Sequence, residues 1–334
     1  MVTVSGGKEA LKLLLASLEP PIRQAFYRYT AEAKAAIKKP HVKQLVASHN
    51  IDGITALLQP FVTHLTAALQ QSFILSGKHM VASLGKQLGV KVLRKADLPD
   101  FDVTIDFDDQ DAQAAAVMQN LQMQFVTDFT QKQKQVIRQA LTSIFQQGGS
   151  TQDAVDALSN VIGLTPWQQA AVDNYQALLQ QNSADALNRM LRDKRYDNTV
   201  EDAVGNDTPL TDDQISMMTD RYRSGMLNYR ANTIARTESL TAMSTARHQA
   251  MGQVADQLGY DPDTIARTWN ATHDKRTRET HCAMDGETVV GMNKLFKSPS
   301  GARLRYPGDP LAPAAERAQC RCVLTYDMSQ AESL

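Results

Sequence analysis

The chain has 334 residues, of which 43% are hydrophobic and only 6% are aromatic, and its formal net charge is −1. This apolar fraction supports folded cores, and the scarcity of aromatic residues favours helices over β-sandwiches. The near-zero charge gives no general argument for nucleic-acid binding. The sequence contains no apolar run of the length that spans a bilayer, and its N-terminal segment lacks the basic region of a signal peptide. We therefore expect no membrane contact and synthesis in the cytosol.

Helical periodicity dominates the N-terminal half. The apolar residues of 51–88 recur every three to four positions, which is typical of one buried helix face. A second long helix is predicted for 111–147. Pro20 and Pro21 indicate another helix start, since proline fits the first helical turn. The acidic segment 97–111 predicts a solvated loop in which the alternating VTIDF forms a short strand.

Capping residues mark the helices of the middle of the chain. Thr165 followed by Pro166 predicts the start of a helix, because threonine caps a helix and proline fits its first position. The polar segment 197–214 is predicted to be a linker. Near its end, Thr211 caps a long helix that extends to about Val254.

The last part of the chain has a different pattern. After Gly259 the sequence predicts short elements separated by Gly- and Pro-rich loops: strands at 264–269, 287–290 and 322–326, and helices at 276–284 and 312–318. The predicted fold is therefore mainly α, with a long-helix N-terminal region followed by a small C-terminal α+β domain whose short sheet packs on a long helix. We divide the chain into a helical domain (1–150), a helical connector and linker (151–212) and the C-terminal domain (213–334).

The C-terminal domain carries an ordered set of motifs and all three cysteines of the chain. The set consists of IARTE at 234–238, W-x-A-T-x-D at 269–274, R-T-R at 276–278, His281, Asp285–Gly286, F-x-S-P-x-G at 296–301, P-G-D-P at 307–310 and C-R-C at 320–322. This combination resembles the phage head-morphogenesis family named after protein F of phage Mu. The segments GLTPWQQAAVDNYQALL and RMLRDKRYD are similar to the region that precedes this domain in relatives from tailed phages. Residues 1–150 carry no recognised motif.

The resemblance implies a minor head protein (a minor capsid protein) of a tailed bacteriophage. Such proteins associate with the portal vertex and act in head assembly and in the fate of the packaged genome. The expected partners are the portal protein, a scaffold or major capsid protein, and genomic DNA. The expected location is the virion head, after synthesis in the host cytoplasm, and the family implies no enzymatic activity.

His281, Cys320 and Cys322 are the candidate metal ligands, because imidazole nitrogen and thiolate sulfur are the donors that Zn²⁺ prefers. His281 is preferred to the adjacent Cys282, since neighbouring side chains diverge. One structural zinc ion is therefore the predicted cofactor, with Asp285 or Asp274 as the fourth ligand.

The metal prediction stays open beside two alternatives. Some members of the family that the chain resembles have cysteine at the positions of Arg278 and His281, which implies a stronger zinc pattern than the present one. The alternatives are a disulfide from Cys282 to Cys320 or Cys322, and free thiols beside a hydrogen-bonded His281.

A second group of charged residues is predicted to have a structural role. Arginine forms bidentate pairs with carboxylates, and such pairs would fix the small domain to the long helix. The predicted network comprises Arg236, Glu238, Asp274, Arg276, Arg278 and Asp285.

A local excess of positive charge predicts a DNA contact. Residues 267–322 contain ten Lys and Arg residues against six acidic residues, which favours sequence-independent contacts with phosphates. The residues expected to reach outward from the Gly- and Pro-rich loop are Lys294, Lys297, Arg303 and Arg305. Arg276 and Arg278 are poorer candidates, because the predicted network places them in internal ion pairs.

Two other functions remain as alternatives. One is a metal-dependent hydrolase or nuclease built on Arg278, His281, Asp285 and the cysteines. A single His in the motif argues against it, since catalytic zinc sites combine several ligands with an open position. The other is a non-enzymatic DNA-binding module, which is compatible with a head protein.

Overall fold

The structure, a computed structural model, describes residues 3–4, 7–88, 91–92 and 104–328. Ten α-helices are described in this part of the chain: α1 (Lys8–Ile37), α2 (Pro40–Ala47), α3 (Ile51–Leu88), α4 (Ala112–Gln146), α5 (Thr151–Val161), α6 (Pro166–Gln180), α7 (Asp197–Gly205), α8 (Asp212–Leu258), α9 (Glu279–Ala283) and α10 (Ala314–Arg317). The strands are β1 (Thr3–Val4), β2 (Lys91–Val92), β3 (Thr104–Ile105), β4 (Ala266–Asn270), β5 (Thr288–Val290), β6 (Phe296–Lys297), β7 (Arg303–Leu304) and β8 (Val323–Asp327). The predicted fold class is confirmed.

The chain forms two compact units, and each long helix contributes to both. Residues 25–65 and 126–232 form one, which we call the helical unit. Residues 1–24, 66–125 and 233–334 form the other, which we call the sheet unit. The predicted division of the chain into domains at residues 150 and 212 stays a prediction.

An apolar cluster fills the interior of the helical unit between α6, α7 and the start of α8. Its rings include Tyr175 and Tyr222, which stack with their centroids 4.4 Å apart. The other buried members are Leu164, Val172, Leu179, Ala186, Val200, Ala203, Leu210, Ile215, Met218 and Met226. The predicted linker is wrong in its first part, because α7 occupies Asp197–Gly205 and buries Val200 and Ala203. The polar residues that suggested a linker include those on the exposed face of α7.

Helix α1 shows a second difference from the prediction. Pro20 and Pro21 lie inside the helix rather than at its start. Apolar side chains spaced three or four residues apart are buried on both sides of the prolines, including Leu18 and Ile22. Burial of this continuous stripe outweighs the backbone hydrogen bonds that proline cannot make.

The main sheet has four antiparallel strands in the order β1-β8-β4-β5. In its centre, Arg267 lies opposite Tyr326, and Trp269 lies opposite Leu324. A separate hairpin, β6–β7, pairs Lys297 with Arg303. The sequence predicted a Gly- and Pro-rich loop here, because a strand of two residues is too short to show the alternation of apolar and polar side chains.

The C-terminal half of α8 supports this sheet and the loop that follows it. Tyr306 donates a hydrogen bond to the hydroxyl of Thr245 at 3.1 Å, and the Tyr326 hydroxyl lies 3.4 Å from His248 Nδ1. Gly308 has φ +79°, and a Cβ there would lie 3.1 Å from Leu240 Cγ. The P-G-D-P loop therefore needs glycine, both for its left-handed backbone and for its approach to the helix.

The acidic segment is described from Thr104 onward, so residues 97–103 of the prediction lie outside the described residues. The expected strand is present as β3, which pairs in parallel with β2. Two side-chain amides of α8 hold the backbone that follows β3. Gln257 hydrogen bonds to the backbone N–H and C=O of Asp106, and Gln253 to those of Asp108, at 2.9–3.0 Å.

Candidate metal centre

Three metal-capable side chains meet in the sheet unit. Helix α9 holds His281 in the interior, and Cys320 and Cys322 lie in the segment that leads into β8. Both Sγ atoms are 3.4 Å from His281 Nδ1, and the three ligand atoms all lie within 4.8 Å of one another. All three residues are at most 2% exposed. The structure thus brings together the three residues that the sequence indicated as metal ligands.

A buried carboxylate orients the histidine. Glu316 on α10 accepts a hydrogen bond from His281 Nε2 at 2.7 Å. Its other oxygen accepts hydrogen bonds from Ser298, at 3.1 Å, and from Ser300. Burial opposes ionisation of Glu316, but these hydrogen bonds outweigh burial and lower its pKa. The acceptor-only carboxylate places the histidine proton on Nε2, which leaves the lone pair of Nδ1 directed at the two sulfurs.

The sequence did not identify Glu316 as part of this site. It lies in an Ala-rich segment with no spacing relation to His281, and only the tertiary fold brings them together. Ser298 did carry a signal, because it is the serine of F-x-S-P-x-G.

The two thiols are unequal. The hydrogen bond that Cys320 donates lowers the pKa of Cys322. The same contact with Cys322, together with burial, raises the pKa of Cys320. One thiolate is therefore favoured in the pair, and sulfur binds metals as a thiolate.

The space beside the cluster is small. The Trp269 ring packs edge-to-face on His281 at a centroid distance of 5.2 Å. The cavity has a volume of about 10 Å³, and its lining includes Thr277, Arg278 and Gln319 together with the three candidate ligands. A volume of this size holds about one water molecule.

The two aspartates considered as a fourth ligand bind other groups. Asp285 accepts the backbone N–H of Ala271 at 2.6 Å and lies 2.7 Å from His273 Nε2. Asp274 forms a bidentate pair with Arg321, which lowers the pKa of Asp274. Among the described residues, only three ligand atoms converge. Cys282 is exposed, and all three cysteines are free thiols in the structure.

The predicted charged network is divided among separate contacts. Arg236 forms a bidentate pair with Glu19 of α1, at 2.9 and 3.2 Å, and Glu238 is half-buried on α8. Arg278 donates to the carbonyl of Ala318. Arg276 was expected in an internal pair, but its side chain is 77% exposed and lies 3.8 Å from Asp274.

The four residues expected to contact DNA also separate. Lys294, Lys297 and Arg303 are exposed on or beside the β6–β7 hairpin. Arg305 instead pairs with buried Asp309 through hydrogen bonds of 2.6 and 3.0 Å. Arg305 therefore does not reach outward as expected, because it neutralises a carboxylate that the loop buries.

Arg267 is a central residue whose role the sequence did not indicate. It is fully buried in β4 and donates to the carbonyls of Gly291, at 3.0 Å, Arg305, at 2.7 Å, and Lys294. This single guanidinium fixes the loop that carries the basic hairpin. In the sequence it was one of ten local cations, with no feature to distinguish it.

Comparison with known proteins agrees with the motifs. The model of the family described as "Phage Mu protein F like protein" matches residues 135–325, which is more than half of the chain. The chain therefore belongs to the family of proteins like protein F of phage Mu. The three candidate metal ligands and most of the supporting sheet lie inside the matched region.

Two curated relatives match shorter stretches. The uncharacterized protein YqbB of Bacillus subtilis (strain 168) is 35% identical over 99 residues, which is 29% of this chain and 30% of that protein. Minor head protein GP7 of Bacillus phage SPP1 is 31% identical over 97 residues, which is 29% of each chain. The matches thus span less than a third of these relatives' length. No solved structure matches the chain. Within the part of the chain that the structure describes, no helix is both long and apolar enough to span a membrane.

Proposed function

We propose that the chain is a minor head protein of a tailed bacteriophage, located at the portal vertex of the virion and acting in head assembly. The observation that carries the proposal is the family match over residues 135–325, together with the similarity to a phage minor head protein. The portal protein is the main proposed partner, and a scaffold or major capsid protein is the second.

The geometry of the site supports a structural role over an enzymatic one. A metal-dependent hydrolase needs a coordination position that the substrate can reach. The cavity beside His281 has about 10 Å³, and Asp285, the acidic residue of the hydrolase hypothesis, is bound to His273 and to the backbone of Ala271. We therefore propose a protein without catalytic activity.

The helical unit offers side chains suited to a protein partner. Trp167, the second residue of α6, is 67% exposed, and Met190 is 89% exposed. Aromatic residues and methionine are enriched in protein interfaces, and exposed tryptophan is a frequent anchor. We propose that these exposed side chains contribute to docking in the head.

The test is the protein content of particles. Mass spectrometry of purified proheads and virions should detect the chain at low copy number beside the portal protein. Deletion of its gene, with complementation in trans as the control, should reduce the yield of filled heads. Absence of the chain from both proheads and virions would contradict the proposal.

A contact with packaged DNA is a second proposed function, carried by the exposed Lys294, Lys297 and Arg303 of one hairpin region. Lys297 and Arg303 are direct cross-strand partners, so their charges lie side by side. Such a surface would bind phosphates without reading sequence.

This contact predicts a defined salt dependence. Three phosphate contacts give a slope of about −3 for log K against log salt on duplex DNA. Replacing Lys294, Lys297 and Arg303 together with alanine should abolish most of that slope. The matched control is the triple alanine variant of Lys38, Lys39 and Lys43, which removes the same charge from exposed positions of the helical unit. Equal loss of binding in both variants would indicate a general charge effect and reject the hairpin as the DNA contact.

A further inference from the structure

We propose that His281 Nδ1, Cys320 Sγ and Cys322 Sγ bind one structural Zn²⁺ ion, with Glu316 as the outer carboxylate that orients the histidine. This inference goes beyond a role in the phage head and does not depend on it. Its test requires only the purified chain.

The distances fit a tetrahedral zinc site. With Zn–S of about 2.3 Å and Zn–N of about 2.0–2.1 Å, ligand nitrogen and sulfur atoms stand about 3.6 Å apart at the tetrahedral angle. Both Sγ atoms lie 3.4 Å from His281 Nδ1. An ion between the three atoms therefore needs only small side-chain shifts.

The hydrogen-bond pattern also presents both sulfurs to one nitrogen. Because Glu316 takes the Nε2 proton, the lone pair of Nδ1 is available to a metal, and both sulfur atoms lie at the same distance from that nitrogen. A zinc ion placed between these atoms would bind the nitrogen and both sulfurs at once.

The outer shell has the form that zinc sites use. Metal-bound histidine commonly donates its second ring N–H to a carboxylate that is itself hydrogen bonded. Here Glu316 is that carboxylate, and Ser298 and Ser300 hold it. The serines come from the hairpin region and Glu316 from α10, so several short elements converge on the ion.

The size of the cavity favours water as the fourth ligand of the zinc ion. Among the described residues, three ligand atoms converge, and the adjoining space of about 10 Å³ accommodates about one water molecule. A site this closed leaves no room for a substrate, so the ion is structural. Its physical effect is to link α9 to the segment before β8, where the local elements are too short to bury a large core.

The first experiment measures metal content. The full chain, produced in zinc-supplemented medium and purified without chelator, should contain about one zinc per chain, as for a single four-ligand site. Cys320→Ser and Cys322→Ser should each lose the zinc. Cys282→Ser is the matched control, because Cys282 is exposed, and this variant should keep the zinc. His281→Asn should also lose the zinc. Its matched control is His273→Asn, since the His273 side chain is 60% exposed, and this control should keep the zinc. A wild-type chain that carries no zinc and takes up none on titration would overturn the proposal.

Cobalt and a conservative variant keep the test decisive if the cysteine variants fold poorly. Co²⁺ added to the metal-free wild-type chain should give the thiolate charge-transfer and tetrahedral d–d bands of a Cys₂His site. Glu316→Gln should retain those bands and weaken zinc affinity about 10–100-fold, the usual effect of an outer-shell change. A Cys320–Cys322 disulfide in the freshly purified protein, or equal zinc loss in Cys282→Ser, would overturn the ligand assignment.

Discussion

The helical unit and the sheet unit differ in what fills their interiors. The helical unit is built around an apolar cluster, and among its described residues the one buried charged side chain, Arg230, lies over Phe129 at 4.9 Å and donates to Gly163. The sheet unit buries a much larger set of ionisable groups: Arg247, His248, Arg267, His281, Asp309 and Glu316. Four of these six groups lie after the end of α8, in short elements and loops that offer little apolar area, so polar contacts at fixed positions hold this part of the chain.

The two units should therefore respond to different perturbations. Apolar packing is lost gradually as volume is removed. A buried polar network fails when one member is removed, because the remaining partners stay buried without hydrogen bonds. We therefore expect the sheet unit to be the more sensitive to single polar substitutions and to pH.

The largest effect is expected from Arg267→Met. The variant keeps a long side chain but leaves the carbonyls of Gly291, Lys294 and Arg305 without this donor. The Gly291 carbonyl keeps the Lys294 N–H, at 3.3 Å, as a second donor. At about 1–3 kcal/mol for each of the other two carbonyls, the loss should be about 2–6 kcal/mol. Urea unfolding followed by the emission of buried Trp269, in a Trp167→Phe background, measures it.

Arg221→Met is the matched control, because Arg221 is exposed on α8. It should change the unfolding free energy by less than about 0.5 kcal/mol. A similar small change for Arg267→Met would show that the carbonyl contacts do not hold the loop.

The next largest effect is expected in the helical unit. Leu179→Ala removes a side chain that is 1% exposed in the apolar cluster, and should cost about 3 kcal/mol through lost burial and a cavity. Circular dichroism during denaturant unfolding measures this loss. Because no ionisable partner is involved, the loss should be the same at pH 5 and pH 7; a strong pH dependence would contradict the contrast between the units.

A smaller, pH-dependent effect should come from His248. Burial is the main cause that lowers the pKa of His248 from 6.5 to about 3. The positive charges of Arg267 and Arg305 lower it further, whereas the negative charge of Asp309 acts in the opposite direction. The unfolded chain binds a proton below pH 6.5 whereas the folded chain does not, so this stability is complete above pH 6.5 and declines toward pH 3. The slope should be about 1.4 kcal/mol per pH unit.

His248→Gln should flatten that slope, since glutamine does not titrate. His41→Gln provides the control, because His41 is exposed on α2. Stability of both variants and the wild type is measured by urea unfolding between pH 4.5 and 7.5. An unchanged slope in His248→Gln would assign the acid sensitivity to other groups.

The smallest effect on stability is expected from Trp167→Ala. With 67% of the residue exposed, the change in unfolding free energy should stay within about 0.5 kcal/mol. Incorporation into phage heads, measured by quantitative mass spectrometry of particles, should nevertheless fall if this surface docks in the head. Normal incorporation would remove Trp167 from the proposed interface.

The elements that sequence predicted well are those with long periodic patterns or specific caps. The helices around 51–88 and 111–147 and the start of α6 at Thr165 and Pro166 appear as expected. Local signals failed where burial decided the outcome, as at Pro20 and in α7. They also failed for β6 and β7, since two residues are too few to show a strand period.

The same distinction applies to the candidate site. His281, Cys320 and Cys322 were indicated by residue type and by the C-x-C spacing, both of which are visible in the sequence. The exposures of Arg276 and Arg305 differ from the expected ones in opposite directions, because exposure depends on which carboxylate the fold brings near. Asp309 is buried beside Arg305, whereas Asp274 takes Arg321 as its bidentate partner and leaves Arg276 exposed.

The sequence by itself therefore determined the helical class, the family and the three candidate ligand residues, since periodicity, an ordered motif set and side-chain chemistry are properties of the chain. Only the tertiary structure decided which acid orients His281 and which cations remain at the surface. Glu316 lies 35 residues from His281 along the chain, and nothing in local sequence specifies a contact of that separation. It arises because packing brings α9 and α10 together, and a buried charge is stable only where packing also supplies its partner.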